Sequence, residues 1–131
     1  MKHIFYLPSS QADPEPRRVA LENAGYEVTV LEDTKRCLST AENNPPDMVI
    51  ADVLLKGMTG FDLCIALRSG GAPTSLPLIL CTSVYRGAIY QNEADRIGVQ
   101  EYMLHPLDMD EFLQKVSKHL GESNSIDSVA A

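Results

Sequence analysis

The sequence predicts a doubly wound α/β domain: a five-stranded parallel sheet with helices on both faces. Three observations carry this expectation. Short apolar runs alternate with segments of helical period from Ile4 to Leu120, in five strand–helix pairs. The runs at Met48–Asp52 and Pro77–Thr82 are apolar without alternation, as strands covered on both faces are. The connections are short, and right-handed crossovers through short loops make one parallel sheet the most economical arrangement. No internal repeat or second core is visible, and 131 residues are the size of one domain.

Ile4-Phe5-Tyr6-Leu7 is too short for a helix, is rich in strand formers, and stops at Pro8-Ser9-Ser10. Asp13-Pro14-Glu15-Pro16 reads as a helix start, with Asp13 as N-cap and both prolines in the first turn, where a missing N–H costs nothing. That helix carries Arg17, Val19, Leu21 and Ala24 and stops at Gly25. Tyr26 to Leu31 alternates, which predicts a half-exposed strand at a sheet edge. Asp33 or Thr34 caps a second helix through Cys37, Leu38 and Ala41, ended by Asn43-Asn44-Pro45-Pro46. After the strand Met48–Asp52, a third helix from Gly60 to Arg68 sets Phe61, Cys64, Ile65 and Leu67 on its apolar side. A loop, Ser69-Gly70-Gly71-Ala72-Pro73, follows it. The strand Pro77–Thr82 leads to a more polar helix from Arg86 to Arg96, which Ile97-Gly98 ends. Tyr102-Met103-Leu104 is the fifth strand and ends at His105-Pro106. Asp108 to Glu111 supplies a cap and an acidic first turn for a last helix marked by Phe112, Leu113, Val116 and Leu120. Residues 1–120 are thus expected to form the folded domain, and 121–131 a polar tail or linker.

Asp and Glu number 18 against 11 Lys and Arg, a net charge of −7. An acidic domain without a basic run repels a polyphosphate backbone, which argues against direct nucleic-acid or anionic-membrane binding. No apolar stretch approaches membrane-spanning length, and Met1-Lys2-His3-Ile4 leads into a strand rather than a signal peptide, so a cytoplasmic protein is expected. Cys37, Cys64 and Cys81 lack the paired spacing of a zinc site. They read as small buried hydrophobes in a reducing compartment, with a redox switch or a metal ligand as the alternative.

Met48-Val49-Ile50-Ala51-Asp52 puts a single carboxylate at the end of a buried strand, and the chain then breaks into a loop with Gly57 and Gly60. In a parallel α/β sheet ligands sit outside the carboxyl ends of the strands, which marks Asp52 as a functional candidate. A residue that merely ends the strand or caps the next helix is the alternative.

Asp52 at the end of strand three, Thr82 at the end of strand four, and Tyr102 with His105-Pro106 at strand five together resemble the receiver domain of bacterial response regulators. The resemblance covers residues 2–120. It includes Gly60 eight residues after Asp52, Leu76-Pro77 opening strand four, Ser83 after Thr82, and Gly98 ahead of the Tyr102-to-Pro106 segment. It implies a flavodoxin-like strand order 2-1-3-4-5 and a signalling module, not an enzyme, in two-component phosphorelay transduction. By position, Asp52 would accept a phosphoryl group from a histidine kinase or phosphotransfer protein through bound Mg2+. Thr82 would be the phosphate-sensing hydroxyl, Tyr102 the aromatic that changes rotamer, and the backbone carbonyl of Leu54 a metal ligand beside Asp52. A downstream effector protein or a homodimer completes the implied partners.

The chain departs from the family at two places that bear on the chemistry of Asp52, and at a third, Lys56, in the loop after it. The family ends strand one with two adjacent acids that hold the metal, and here those positions are Pro8 and Ser9. Mg2+ relies on carboxylate charge in near-octahedral geometry. Asp52, one carbonyl and a serine hydroxyl carry one formal negative charge where the family has three, so weak or absent Mg2+ binding is expected. Asp13 is the only nearby acid, and the helix cap claims it. His105 stands where the family has lysine, and histidine, with a reference pKa of ~6.5, supplies a cation only when protonated.

Phosphoryl transfer depends on positioning and charge neutralisation, so both departures bear on the reactivity of Asp52. His105 is read as a partial lysine substitute, as a hydrogen-bond partner of Asp52, or as an ordinary strand-end residue. Lys56 replaces the usual proline and is expected in solvent. A metal site of Asp52, His105 and Cys81 is set aside, because Cys81 precedes Thr82 and should face the other side of the sheet. Two readings stand beside an atypical receiver: an ordinary switch phosphorylated at Asp52, and a flavin- or nucleotide-binding protein with the same sheet order. Against the last, the loop after strand one has no glycine and three prolines among residues 8–16, which limits the N–H groups a phosphate cradle needs.

Overall fold

The computed structural model describes residues 1–10, 12–70 and 75–121, and in it strands and helices alternate throughout. The order is β1 (His3–Leu7), α1 (Glu15–Asn23), β2 (Glu27–Val30), α2 (Thr34–Asn43), β3 (Met48–Asp52), α3 (Gly60–Ser69), β4 (Leu78–Thr82), α4 (Ala88–Ile97), β5 (Glu101–Leu104) and α5 (Met109–His119). All neighbouring strands pair in parallel, in the order β2-β1-β3-β4-β5. This is the doubly wound, flavodoxin-like sheet expected from the sequence, with the alternating strand β2 at one edge.

The two-residue period of the strands divides the core into two layers. Phe5, Leu7, Val49, Ala51, Leu78 and Leu80 face α2, α3 and α4, where Cys37, Leu63, Leu67 and Ala94 close over them. Ile4, Tyr6, Met48, Ile50, Ile79 and Cys81 face the other way, against Leu21 of α1 and Phe112 and Val116 of α5. Each large side chain fully buried here contributes about 1.5–3 kcal/mol. The three cysteines are free and buried, and desolvation pushes each thiol up to about 12, so they pack as small apolar residues.

Local chemistry sets the helix starts. Asp33, Thr59 and Asp108 each accept a backbone N–H from the first turn that follows. Asp13 differs from its expected role as N-cap. The cap position of α1 is Pro14, which has no side-chain acceptor, and Asp13 Oδ1 instead accepts the N–H of Glu15 at 3.1 Å from one residue further out. The loop expected at 69–73 and the tail expected from Gly121 lie outside the described residues over 71–74 and from 122 onward.

Candidate functional site

The sheet switches direction at β1, whose partners β2 and β3 lie on opposite sides of it. The crevice beyond the ends of β1 and β3 is therefore where this architecture binds ligands. β3 delivers Asp52 to that crevice, 6% exposed, with Oδ1 accepting the N–H of Leu54 at 3.1 Å. The spacing from Asp52 to Gly60 has a steric cause. Gly60 opens α3 against the end of β3, donating to the Val53 carbonyl at 2.8 Å, and a Cβ on it would stand 2.5 Å from the Asp52 carbonyl oxygen. Only glycine allows so close an approach of two backbones.

Pro8 is buried and Ser9 half-buried at the end of β1. With Ser10, Glu32 and Lys56 they line an open cleft of about 200 Å³, and Lys56 is exposed as expected. Among the described residues no group of three or more His, Cys, Asp or Glu side chains is placed to hold a metal ion. Asp52 supplies the formal charge, the Leu54 carbonyl and the Ser9 hydroxyl are neutral, Asp13 accepts the backbone N–H of Glu15, and Glu32, exposed in the cleft, joins no group of three such ligands among the described residues. This donor set does not fit Mg2+, which keeps its carboxylate ligands because each offsets part of a large dehydration cost.

His105 follows β5 and brings Nε2 to 3.7 Å from Asp52 Oδ2, within ion-pair reach but longer than a hydrogen bond. On its other side stands Arg17 of α1. Nη2 lies 2.7 Å from both ring nitrogens of His105, and Nη1 donates to the Tyr6 hydroxyl at 3.3 Å. A neutral imidazole keeps one acceptor nitrogen and an imidazolium none, so a guanidinium donor selects the neutral ring. Burial first, and then the charge of Arg17, hold His105 below its ordinary value despite the opposing pull of Asp52. Arg86 donates to the His105 carbonyl from the far side.

The register corrects the expectation about Cys81. Asp52 pairs with Cys81 across β3 and β4, and paired residues of parallel strands point the same way, so Cys81 shares the face of Asp52 and Thr82 does not. The three-residue metal site still fails, because among the described residues no group of three His, Cys, Asp or Glu side chains is placed to hold a metal ion.

Thr82 is fully buried, and its Oγ1 accepts the N–H groups of Val84 at 3.1 Å and Tyr85 at 3.2 Å. Tyr102 stands half-buried, its ring stacked on Phe61 of α3 with centroids 5.7 Å apart, and its hydroxyl donates to the Tyr85 carbonyl at 2.6 Å. Desolvation, followed by the charges of Tyr90, Asp52 and Tyr85, pushes the Tyr102 phenol up to about 12. Reading from sequence missed Arg17, Tyr85 and Phe61 as parts of this region. Arg17 looks like one more charge on a solvated helix face, and Phe61 like core.

Sheet order and strand-end residues together place the chain among the receiver-type signalling domains. Residues 15–117 match the family described as the response regulator receiver domain. The sensory transduction protein RegX3 of Mycolicibacterium smegmatis is 26% identical over 136 residues, covering 100% of this chain and 56% of that protein. Histidine kinase P4 of Formosa agariphila is 30% identical over 111 residues, covering 82% of this chain but 8% of the kinase. The receiver domain of the Francisella response regulator 1452 superposes with a TM-score of 0.83 over 94% of this chain and 99% of that one; at 19% identity that likeness shows the fold. The chain belongs to the response regulator receiver domain family.

Domains of this family serve two-component signalling, meet histidine kinases or phosphotransfer proteins, and typically bind Mg2+ at the phosphorylation site. Membership sets aside the flavin- or nucleotide-binding alternative. The match begins at Glu15, beyond Pro8 and Ser9. The chain spans about half the length of RegX3 and a small part of the kinase. No helix among the described residues is long and apolar enough to cross a membrane.

Proposed function

We propose that this chain is an atypical receiver module of a phosphorelay, acting through protein–protein contact, with Asp52 at the phosphoacceptor position and Mg2+ held weakly or not at all. One observation carries the reading: Pro8 and Ser9, rather than two acids, end β1 beside Asp52, and no group of three or more His, Cys, Asp or Glu side chains among the described residues is placed to hold a metal. Residues 1–120 form the module, and an upstream kinase or phosphotransfer protein and a downstream effector, or a second copy, are its partners in the cytoplasm. The net charge of −7 disfavours direct contact with nucleic acid. The test is a Mg2+ titration read by tyrosine fluorescence, for which five Tyr and no Trp make a clean probe. No saturable transition at millimolar Mg2+ is expected. A tight transition that disappears in Asp52→Asn overturns the reading.

A second reading, phosphorylation at Asp52 itself, is favoured by the hydrogen bonds that join both Thr82 and Tyr102 to Tyr85. A hydroxyl drawn toward a phosphoryl group on Asp52 would release the Tyr85 amide and loosen the loop that Tyr102 also holds. Incubation with a small acyl phosphate donor should then add the mass of one phosphoryl group, and Asp52→Ala should abolish the gain. Absence of any gain, with donor or kinase, counts against this reading and leaves the first.

A further inference from the structure

We propose that Arg17 is the resident cation of the Asp52 pocket, taking the electrostatic place of a divalent metal, with His105 as the positioning residue between the two. The inference rests on the receiver reading above and deepens it, since it names what the pocket holds in place of Mg2+. A guanidinium matches the oxygens of a phosphoryl group or free phosphate, so the pocket beside Asp52 is suited to an oxyanion rather than to a second cation.

Placement carries the argument. α1 packs on the sheet face that also bears Tyr6, Cys81 and, by register, Asp52. From its third residue, Arg17 reaches inward, half-buried, and is held by the Tyr6 hydroxyl and by the His105 ring, whose Nε2 faces Asp52 Oδ2 at 3.7 Å. The contrast with its neighbour is informative. Arg18 is tied to two surface carboxylates, Glu15 at 2.5 Å and Glu22 at 2.7 Å, whereas Arg17 forms no ion pair with any carboxylate among the described residues. No carboxylate among the described residues lies within ion-pair distance to neutralise its charge, and the His105 ring it holds is the one that faces Asp52. The other nearby cations are placed differently. Lys56 is exposed in the cleft beyond Ser9, and Arg86 is exposed and spends its hydrogen bond on the His105 carbonyl. A fixed positive charge beside Asp52 repels a divalent cation twice as strongly as a univalent one, which reinforces the loss of the two acids.

The test compares Mg2+ affinity, read by tyrosine fluorescence and by amide NMR shifts around Asp52, in the wild type and in Arg17→Gln. Removal of the guanidinium should tighten Mg2+ binding by about tenfold, so that an Asp52-dependent transition emerges at millimolar Mg2+ where the wild type shows none. The gain should vanish in the Arg17→Gln/Asp52→Asn double variant and be largely absent in Arg17→Lys, which keeps the charge. Arg17→Met, which retains the aliphatic stem, is the substitute if Gln disturbs the fold, and thermal unfolding reports on that. Loss of a merely structural residue would weaken metal binding or leave it alone, not tighten it. Equal affinity in wild type and Arg17 variants, or an equal gain in the Lys56→Gln control, overturns the role of Arg17 and leaves the receiver reading standing. A tight Asp52-dependent site already present in the wild type overturns both.

Discussion

The Tyr102 hydroxyl donates to the carbonyl of Tyr85 at 2.6 Å, so a half-buried side chain from β5 ties down the loop that leaves β4. The amide of the same Tyr85 donates to Thr82 Oγ1 at 3.2 Å. One loop residue therefore reports on two strand ends, and the tie can be cut from either side.

Tyr102→Phe keeps the ring on Phe61 and removes the hydroxyl. The expected cost is about 0.5–1.5 kcal/mol in denaturant unfolding, the net worth of one hydrogen bond. Amide exchange at Val84 and Tyr85 should speed up more than exchange in β3, since the loop loses its anchor and the central strand does not.

The Tyr102 phenol, pushed up to about 12 chiefly by burial, makes a prediction about alkaline pH. In the unfolded chain a tyrosine releases its proton near pH ~10. Between that value and about 12 the folded state binds the extra proton, so stability falls as pH rises. Urea midpoints measured across this window should drop more steeply in the wild type than in Tyr102→Phe. Parallel curves would contradict the assigned burial.

Thr82→Val is nearly isosteric but leaves the N–H groups of Val84 and Tyr85 without their acceptor. The expected loss is about 1–3 kcal/mol, and Thr82→Ser should recover most of it because the accepting oxygen returns. Urea denaturation of the three proteins decides the matter. A Val variant as stable as wild type would show that water replaces Thr82 freely.

Gly60→Ala would bring a methyl group to 2.5 Å from the Asp52 carbonyl oxygen and 2.8 Å from Leu80 Cδ2. The first neighbour is backbone and cannot swing away. Overpacking of this kind costs about 1–3 kcal/mol and should move the end of β3. Amide shifts of Asp52 and Val53 are the local readout, and thermal unfolding the global one.

His105 is held below its ordinary value by burial and by Arg17, which fixes the sign of its contribution at mildly acidic pH. The unfolded chain takes up this proton near pH ~6.5 while the folded state still resists it. Stability from this group is therefore complete above that pH, declines as pH falls through it, and levels off below the folded value. The wild type should lose more stability than His105→Gln on acidification across this window, and the ring resonances of His105 should titrate below the ordinary histidine range.

Much of this molecule was determined by its sequence alone. Met48–Asp52 was legible to the residue, the caps at Asp33 and Asp108 announced the helices behind them, and Gly25 and Gly98 marked where helices end. Such features are encoded within a few residues, in apolar period and capping chemistry, and the same is true of the spacing from Asp52 to Gly60. Tertiary structure alone decided who meets whom. Alternation sets Cys81 opposite Thr82, yet only the register of β3 against β4 decides which of them shares the face of Asp52. Arg17 and His105 lie 88 residues apart, and among the charged residues that open α1 an arginine carries no local sign of where it will reach. Packing of α1 against the sheet brings that charge to the end of β5, and with it the electrostatics around Asp52.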